Sequence, residues 1–103
     1  MRTVFWTETA RQEYLDALRY LVPRNPAAAE RLRALVEETV QDLVDRPSGR
    51  RGRIADTYEK VLPRQPYIIA YALRGGPEGE ERLVLLRFIH TSRNWTPDGW
   101  PED

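Results

Sequence analysis

The chain has 103 residues, a formal net charge of zero, one histidine and no cysteine. This length suits one domain with a single modest core, and the missing thiols exclude a disulfide scaffold and a thiolate metal site. One histidine is too few for the usual zinc ligand sets, so no metal or other cofactor is expected. No segment has the pattern of a signal peptide or the length of a membrane span, which predicts a cytoplasmic protein.

The first predicted elements are a short strand and an amphipathic helix. The segment TVFWT (residues 3–7) alternates so that Val4 and Trp6 share one face. Thr7 or Thr9 can cap the helix that follows. An apolar stripe with helical spacing is formed by Tyr14, Ala17, Leu18 and Leu21. The segment PRNP (residues 23–26) is expected to end this helix.

A second helix is predicted to start at once. Asn25 is a good N-cap and Pro26 a good first helical residue. The apolar stripe continues for three turns and consists of Leu32, Leu35, Val36, Thr39, Val40 and Leu43. Because the connection is so short, the two helices should pack as an antiparallel hairpin, which the segment DRPSG (residues 45–49) ends.

Residues 46–53, RPSGRRGR, are predicted to form a basic loop with four arginines and no acid. The segment belongs to a positive zone, because residues 46–95 carry a net +5 between ends of −2 and −3. Arg50, Arg51 and Arg53 could bind phosphate or an acidic partner, since Gly52 lets the backbone come close. The alternative is an ordinary solvated loop.

Three strands are predicted after this loop. Residues 53–62, 66–73 and 81–90 are rich in β-branched and aromatic residues and are joined by short links. Such strands form an antiparallel meander. Together with the first strand they predict an α+β domain of order β-α-α-β-β-β, with the helix hairpin packed on one face of a small antiparallel sheet.

The last predicted strand carries the unusual polar residues. Alternation divides it into two faces: Leu85, Arg87 and Ile89 on one, and Val84, Leu86, Phe88 and His90 on the other. Because Leu86 and Phe88 suit the core, Arg87 is expected on the open face. His90 is then expected at the rim of the sheet, where a histidine is more often hydrogen-bonded structure than a general base.

The aromatic residues have two expected roles. Tyr58, Tyr67 and Tyr71 are expected to pack in the core with their hydroxyls at its rim. Trp95 and Trp100 lie in a polar tail, where one is expected to pin the tail to the sheet and the other to be available to a partner.

Several short segments carry a family resemblance: Trp6-Thr7 with Ala10, Asn25-Pro26 with Ala28-Ala29, residues 49–53, Pro66-Tyr67-Ile68-Ile69 with Tyr71, and Leu86-Arg87 with His90 and Arg93. Their order and spacing resemble the ParE branch of the RelE/ParE toxins of bacterial type II toxin–antitoxin modules, over roughly residues 4 to 95. The resemblance implies a single toxin domain over residues 1–95, followed by an acidic tail over residues 96–103.

The resemblance also implies a function and partners. A ParE-like toxin is held inactive in a hetero-oligomer by a cognate antitoxin, whose C-terminal segment wraps its apolar surface. Members of this branch are associated with poisoning DNA gyrase, which predicts a protein that acts by binding rather than by catalysis. We expect the target-binding surface to comprise Arg50, Arg51, Arg53, Arg87, Arg93 and Trp95.

Two alternatives remain. RelE-like relatives cut mRNA on the ribosome, and here His90, Arg87 and Glu59 could form an acid–base set. That set would lack the terminal tyrosine of such enzymes, and Lys60 is the only lysine. The other alternative is a degenerate member that only binds an antitoxin and contributes to repression of its operon. The acidic ends of the chain disfavour direct DNA binding by this chain alone.

Overall fold

Residues 2–92, which the computed structural model describes, form two helices and five strands. In chain order these are β1 (Thr3–Trp6), α1 (Glu8–Arg24), α2 (Pro26–Asp45), β2 (Arg50–Arg51), β3 (Tyr58–Val61), β4 (Tyr67–Gly75) and β5 (Glu81–His90). The strands form one sheet of order β1-β5-β4-β3-β2, in which β1 is parallel to β5 and the other pairs are antiparallel. The predicted α+β fold and the order β-α-α-β-β-β are confirmed, except that β2 is an additional short strand and β1 joins the sheet in parallel and not antiparallel.

The helix hairpin forms where the sequence supplies capping residues. Thr7 caps α1, and its hydroxyl accepts the Ala10 N–H at 3.1 Å. Asn25 alone connects the helices: its N–H donates to the Leu21 carbonyl at 2.7 Å and its side chain accepts the Ala28 N–H at 3.1 Å. α1 ends at Arg24, within the segment PRNP that was predicted to end it, and Pro23 lies inside the last helical turn.

The main core lies between the helix hairpin and one face of the sheet. Its buried members are Ala10, Leu32, Val36, Leu43, Val44, Leu62, Ile69, Tyr71, Leu83, Leu85 and Phe88. Trp6, Tyr14 and Phe88 form a chain of aromatic contacts from β1 across α1 to β5, with ring centroids 5.3 Å apart at each step. Neither helix of residues 2–92 is long and apolar enough to cross a membrane.

A β-bulge in β5 changes which residues face the helices. Ala70 pairs with Arg87 and the next residue, Tyr71, with Leu85, so Leu86 is the extra residue. The predicted face assignment was therefore wrong in the middle of the strand. Leu85 shares the main core with Phe88, whereas Leu86 belongs to a second cluster with Val84 and Ala72. Strict alternation does not hold across an inserted residue.

Candidate target-binding site

Residues 46–53 were predicted to form a loop, but part of this segment is a strand. Arg50 and Arg51 form strand β2, which pairs with β3 so that Arg50 lies opposite Glu59 and Arg51 opposite Tyr58. The first predicted strand of the meander was also too long, because β3 begins only at Tyr58. Side chains of directly paired residues project from the same face of a sheet. Arg50 and Glu59 thus lie on one face, and Arg51 and Tyr58 on the other.

The carboxylate of Glu59 binds two arginines of the loop, Arg50 and Arg53. It is 2% exposed, and its Oε1 accepts hydrogen bonds from Arg50 Nε at 3.2 Å and Nη2 at 3.1 Å. Its Oε2 accepts the backbone N–H of Arg53 at 3.1 Å and lies 3.8 Å from the Arg53 Nε. A buried carboxylate requires such partners, and here two of the predicted binding residues provide them.

Two glycines permit this close packing. Gly49 has a φ of +120°, and a side chain there would collide with the backbone carbonyl of Glu59. A side chain at Gly52 would collide with the Thr57 hydroxyl. The Gly52 N–H also donates to the Thr57 carbonyl at 2.8 Å, which holds the two arms of the loop together. The two glycines therefore allow the loop to pack closely against β3 and the residue before it, Thr57.

The opposite face of the same strands carries a second basic group. Arg51 is exposed and makes no ion pair with another described residue. Lys60 follows on this face and donates to the Ser48 hydroxyl at 3.1 Å. The Tyr71 hydroxyl donates to the Ser48 carbonyl, and its ring stacks on Tyr58 with centroids 5.5 Å apart. Burial raises the pKa of Tyr71, and the neighbouring Tyr58 raises it further.

Arg87 is bound by an acid that the sequence patterns did not single out. The Glu13 carboxylate on α1 accepts Arg87 Nε at 2.9 Å and Nη2 at 2.8 Å, and it also accepts the Phe88 backbone N–H at 3.1 Å. These contacts lie just beyond the point where β1 stops pairing with β5. The expected place of Arg87 on the open face did not predict this contact with α1.

His90 is bound within its own turn at the end of β5. Its Nδ1 accepts the Ser92 backbone N–H at 3.1 Å and lies 2.7 Å from the Ser92 hydroxyl. Its ring meets Tyr67 edge-on, with centroids 5.2 Å apart. A groove of about 600 Å³ opens beside it, and Glu13 and Asp16 contribute to its lining. No arginine or lysine of the described part of the chain lines this groove, in contrast to the arginine loop, and its Glu13 carboxylate is already paired with Arg87.

The edge of the sheet at β1 has a different character. Among residues 2–92, β1 pairs only with β5, and Val4 and Phe5 are exposed on it. A second groove of about 690 Å³ lies nearby, lined by Trp6 and Tyr14 together with Val36 and Val40 of α2. Burial raises the pKa of Tyr14. An open strand edge beside an apolar groove is suited to binding an extended peptide.

The predicted site residues therefore fall into separate groups. Arg50 and Arg53 meet at Glu59, whereas Arg87 lies two strands away because Ala70 pairs with both Glu59 and Arg87. Arg93 and Trp95, the other predicted contacts, and the acidic tail lie outside the described residues. Within residues 2–92, no group of three or more acids or histidines could hold a metal ion.

Glu13 and the packing role of Glu59 were missed by the sequence patterns. Glu13 directly precedes Tyr14 of the apolar stripe on α1, and it lies close to the core edge although it reads as a polar helix residue. Glu59 had a stronger signal. It is the acid at the centre of YEKV, the part of the predicted strand 53–62 that forms β3, and a charged side chain that a strand buries needs a partner.

Comparison with known proteins agrees with this architecture. A sequence model for the family "ParE toxin of type II toxin-antitoxin system, parDE" matches residues 4–95. A relative from Sinorhizobium fredii, named "Putative toxin Y4kP", is 33% identical over 95 residues, which cover 91% of this chain and 93% of the relative. A solved structure described as "Chromosomal ParDE TA system from P. aeruginosa" has the same fold, with a TM-score of 0.71 at 19% identity, over 89% of this chain and 98% of that one.

These matches define the class of the protein as a toxin of a type II toxin–antitoxin system. Within that class, the chain belongs to the ParE toxin family. The family resemblance noted in the sequence is confirmed, and membership of the family implies an antitoxin as partner.

Proposed function

We propose that this toxin arrests growth by binding DNA gyrase, without cleaving RNA, and that its cognate antitoxin neutralises it. Family membership motivates gyrase as the target. The arginines of the loop would supply the contacts to the target, because arginine forms bidentate hydrogen bonds with carboxylates and phosphates.

One observation favours binding over RNA cleavage: the three residues of the acid–base alternative are each held by a different partner. Arg87 is bound by Glu13, Glu59 is buried beneath Arg50, and His90 is bound by Ser92. General acid–base catalysis needs such groups within hydrogen-bond reach of one substrate. The register separates Glu59 and Arg87 by the whole of β4, or roughly 10 Å at typical strand spacing.

Expression of the chain without an antitoxin separates the alternatives. Binding to gyrase predicts growth arrest that survives His90→Ala, no new mRNA ends, and inhibition of supercoiling by purified gyrase. Ribosome-dependent cuts that disappear in His90→Ala would contradict the proposal and favour the ribonuclease. No arrest by the intact chain would favour a degenerate member that only binds its antitoxin.

The antitoxin is proposed to bind at β1. An extended segment can pair with the open edge of β1, while its apolar side chains cover Val4 and Phe5 and enter the groove beside Trp6. Glu38 also lines that groove, beside Glu37, which is paired with Arg33, and this favours a segment carrying a basic residue next to its apolar ones. This surface lies at the opposite edge of the sheet from β2.

A further inference from the structure

The ion pairs of Glu59 stabilise its buried carboxylate, but they also reduce the positive charge of the surface that is proposed to bind the target. Glu59 introduces a negative charge beneath the arginines that are proposed to bind the target, so it weakens their attraction for an acidic surface. One carboxylate between Arg50 and Arg53 leaves that cluster with a net charge of +1. The geometry of its hydrogen bonds indicates what Glu59 could contribute to binding in return for this loss of charge.

We infer that Glu59 is a positioning residue, which holds Arg50 and Arg53 in the orientation that binds a carboxylate of the target protein. The inference rests on the proposed function, because it assigns the chemistry of the contact with the target. Glu59 itself is too deeply buried to touch a partner. It would act through the two arginines and through the backbone at Arg53.

Arg50 uses only one edge of its guanidinium group to bind Glu59, which fits this role. Its Nε and Nη2 both donate to the Glu59 Oε1, while a guanidinium has five N–H donors in one plane. The Nη1 edge therefore remains for a second carboxylate. The side chain of Arg50 is 58% exposed, so a partner can reach its outer edge. Arginines already held in place lose less freedom on binding.

The charge of the cluster favours a protein carboxylate over nucleic acid. Nucleic-acid affinity grows with the number of phosphates that are neutralised, whereas Glu59 already offsets one of the two guanidinium charges here. The chain as a whole has no net charge. A small number of oriented guanidinium groups is better suited to individual carboxylates, where bidentate geometry decides the affinity.

The variant Glu59→Gln separates positioning from charge, because the two predict opposite signs. If charge alone mattered, removing a negative charge would tighten binding to an acidic surface of gyrase. Positioning predicts binding weaker by about tenfold, which corresponds to about 1.4 kcal/mol. Binding to purified gyrase is measured by titration, and circular dichroism confirms that the variant is folded. Equal or tighter binding would overturn the inference.

A double-mutant cycle then identifies the residue through which Glu59 acts. Arg50→Ala should remove most of the effect of Glu59→Gln, because the positioned group is gone. Arg51→Ala is the matched control: Arg51 adjoins Arg50 on the same strand but projects from the other face. The effects of Glu59→Gln and Arg51→Ala should add, since they share no contact. Equal coupling to both arginines would overturn the assignment.

Trypsin cleavage of the free toxin tests the ordering of the loop without gyrase. Cleavage after Arg50, Arg51 and Arg53 should be faster in Glu59→Gln, whereas cleavage after Arg11 on α1 should not change. If the wild type does not bind gyrase, the proposed function fails, and equal loop cleavage in both proteins would overturn the positioning role as well. A duplex DNA fragment that binds the wild type and loses affinity in Glu59→Gln would overturn the choice of a protein carboxylate.

If Glu59→Gln does not fold, Glu59→Asp takes its place. Aspartate keeps the charge but is shorter by one methylene, so it cannot reach Arg50 and the Arg53 backbone together without a shift of the strands. Weaker gyrase binding at unchanged net charge supports positioning. Unchanged binding contradicts it.

Discussion

The Glu13 carboxylate binds Arg87 through two side-chain hydrogen bonds of 2.9 and 2.8 Å and accepts the Phe88 backbone N–H at 3.1 Å. Glu13 thereby accepts a backbone hydrogen bond of β5 that a longer β1 would otherwise accept. β1 pairs with β5 only as far as Leu85. The next residue after β1, Thr7, donates its backbone N–H to the Leu85 carbonyl and its hydroxyl to the Leu86 carbonyl. The edge of β5 beyond β1 is thus completed by side chains from the start of α1.

Replacing Glu13 by alanine should destabilise the fold. The change removes two hydrogen bonds of Arg87 and the acceptor of the Phe88 N–H in a region that is largely shielded from water, which typically costs about 2 kcal/mol. Urea unfolding measures the loss. Glu30→Ala is the control, because the Glu30–Arg33 pair is exposed on α2 and should contribute nothing measurable. Equal losses in the two variants would contradict the importance of the Glu13 contacts.

The glycines of the arginine loop should not tolerate alanine. Gly49→Ala forces a side chain into a backbone with φ of +120° and against the Glu59 carbonyl, which should cost about 1–3 kcal/mol. Gly75→Ala at the end of β4 is the matched control, since a side chain there meets no atom within 4 Å. Thermal unfolding compares them. A control variant as unstable as Gly49→Ala would show that the cost does not come from the loop.

Tyrosine ionisation should reduce stability at high pH. Burial raises the pKa of Tyr14 and Tyr71 above that of the unfolded chain, about 10. The folded state therefore keeps protons that the unfolded state loses, so this contribution is complete below about pH 10 and is lost as the pH rises through the folded pKa.

Urea unfolding between about pH 9 and about pH 12 measures this loss. Tyr71→Phe should show a shallower decline of stability with pH than the wild type, because one of the two phenols is gone. The variant also loses its hydrogen bond to Ser48 and is expected to be less stable at neutral pH. The slope, and not the absolute stability, is therefore the test, and an unchanged slope would contradict the role of Tyr71.

Phe5 on β1 should be needed for antitoxin binding. Phe5→Glu puts a charge where an apolar side chain is proposed to be covered, and loss of that burial should weaken binding at least tenfold. Val61→Glu is the control: Val61 is 46% exposed, close to the 49% of Phe5, but lies on β3 near the other edge of the sheet. Copurification with the cognate antitoxin measures both. Equal losses in the two variants would place the antitoxin elsewhere.

The sequence by itself determined the order of the helices and of every strand except the two-residue β2, because the relevant signals are local. Asn25 and Pro26 act on residues within one helical turn, and the apolar stripe of α2 has its own period. The strands are likewise recognised from their β-branched and aromatic residues, whichever strands they pair with. The same local segments, in their order, carried the family resemblance.

Only the tertiary structure decided which charges meet. Glu13 and Arg87 are 74 positions apart, and the bulge at Leu86 depends on how β4 and β5 pair. The sequence marked Arg50 as a cation, but its pairing with Glu59 follows from the register of β2 on β3. The sequence shows which side chains are charged, but long-range packing decides which of them form pairs. For this reason the sequence showed only a strongly basic loop, whereas in the structure Arg50 and Arg53 are bound to the buried carboxylate of Glu59.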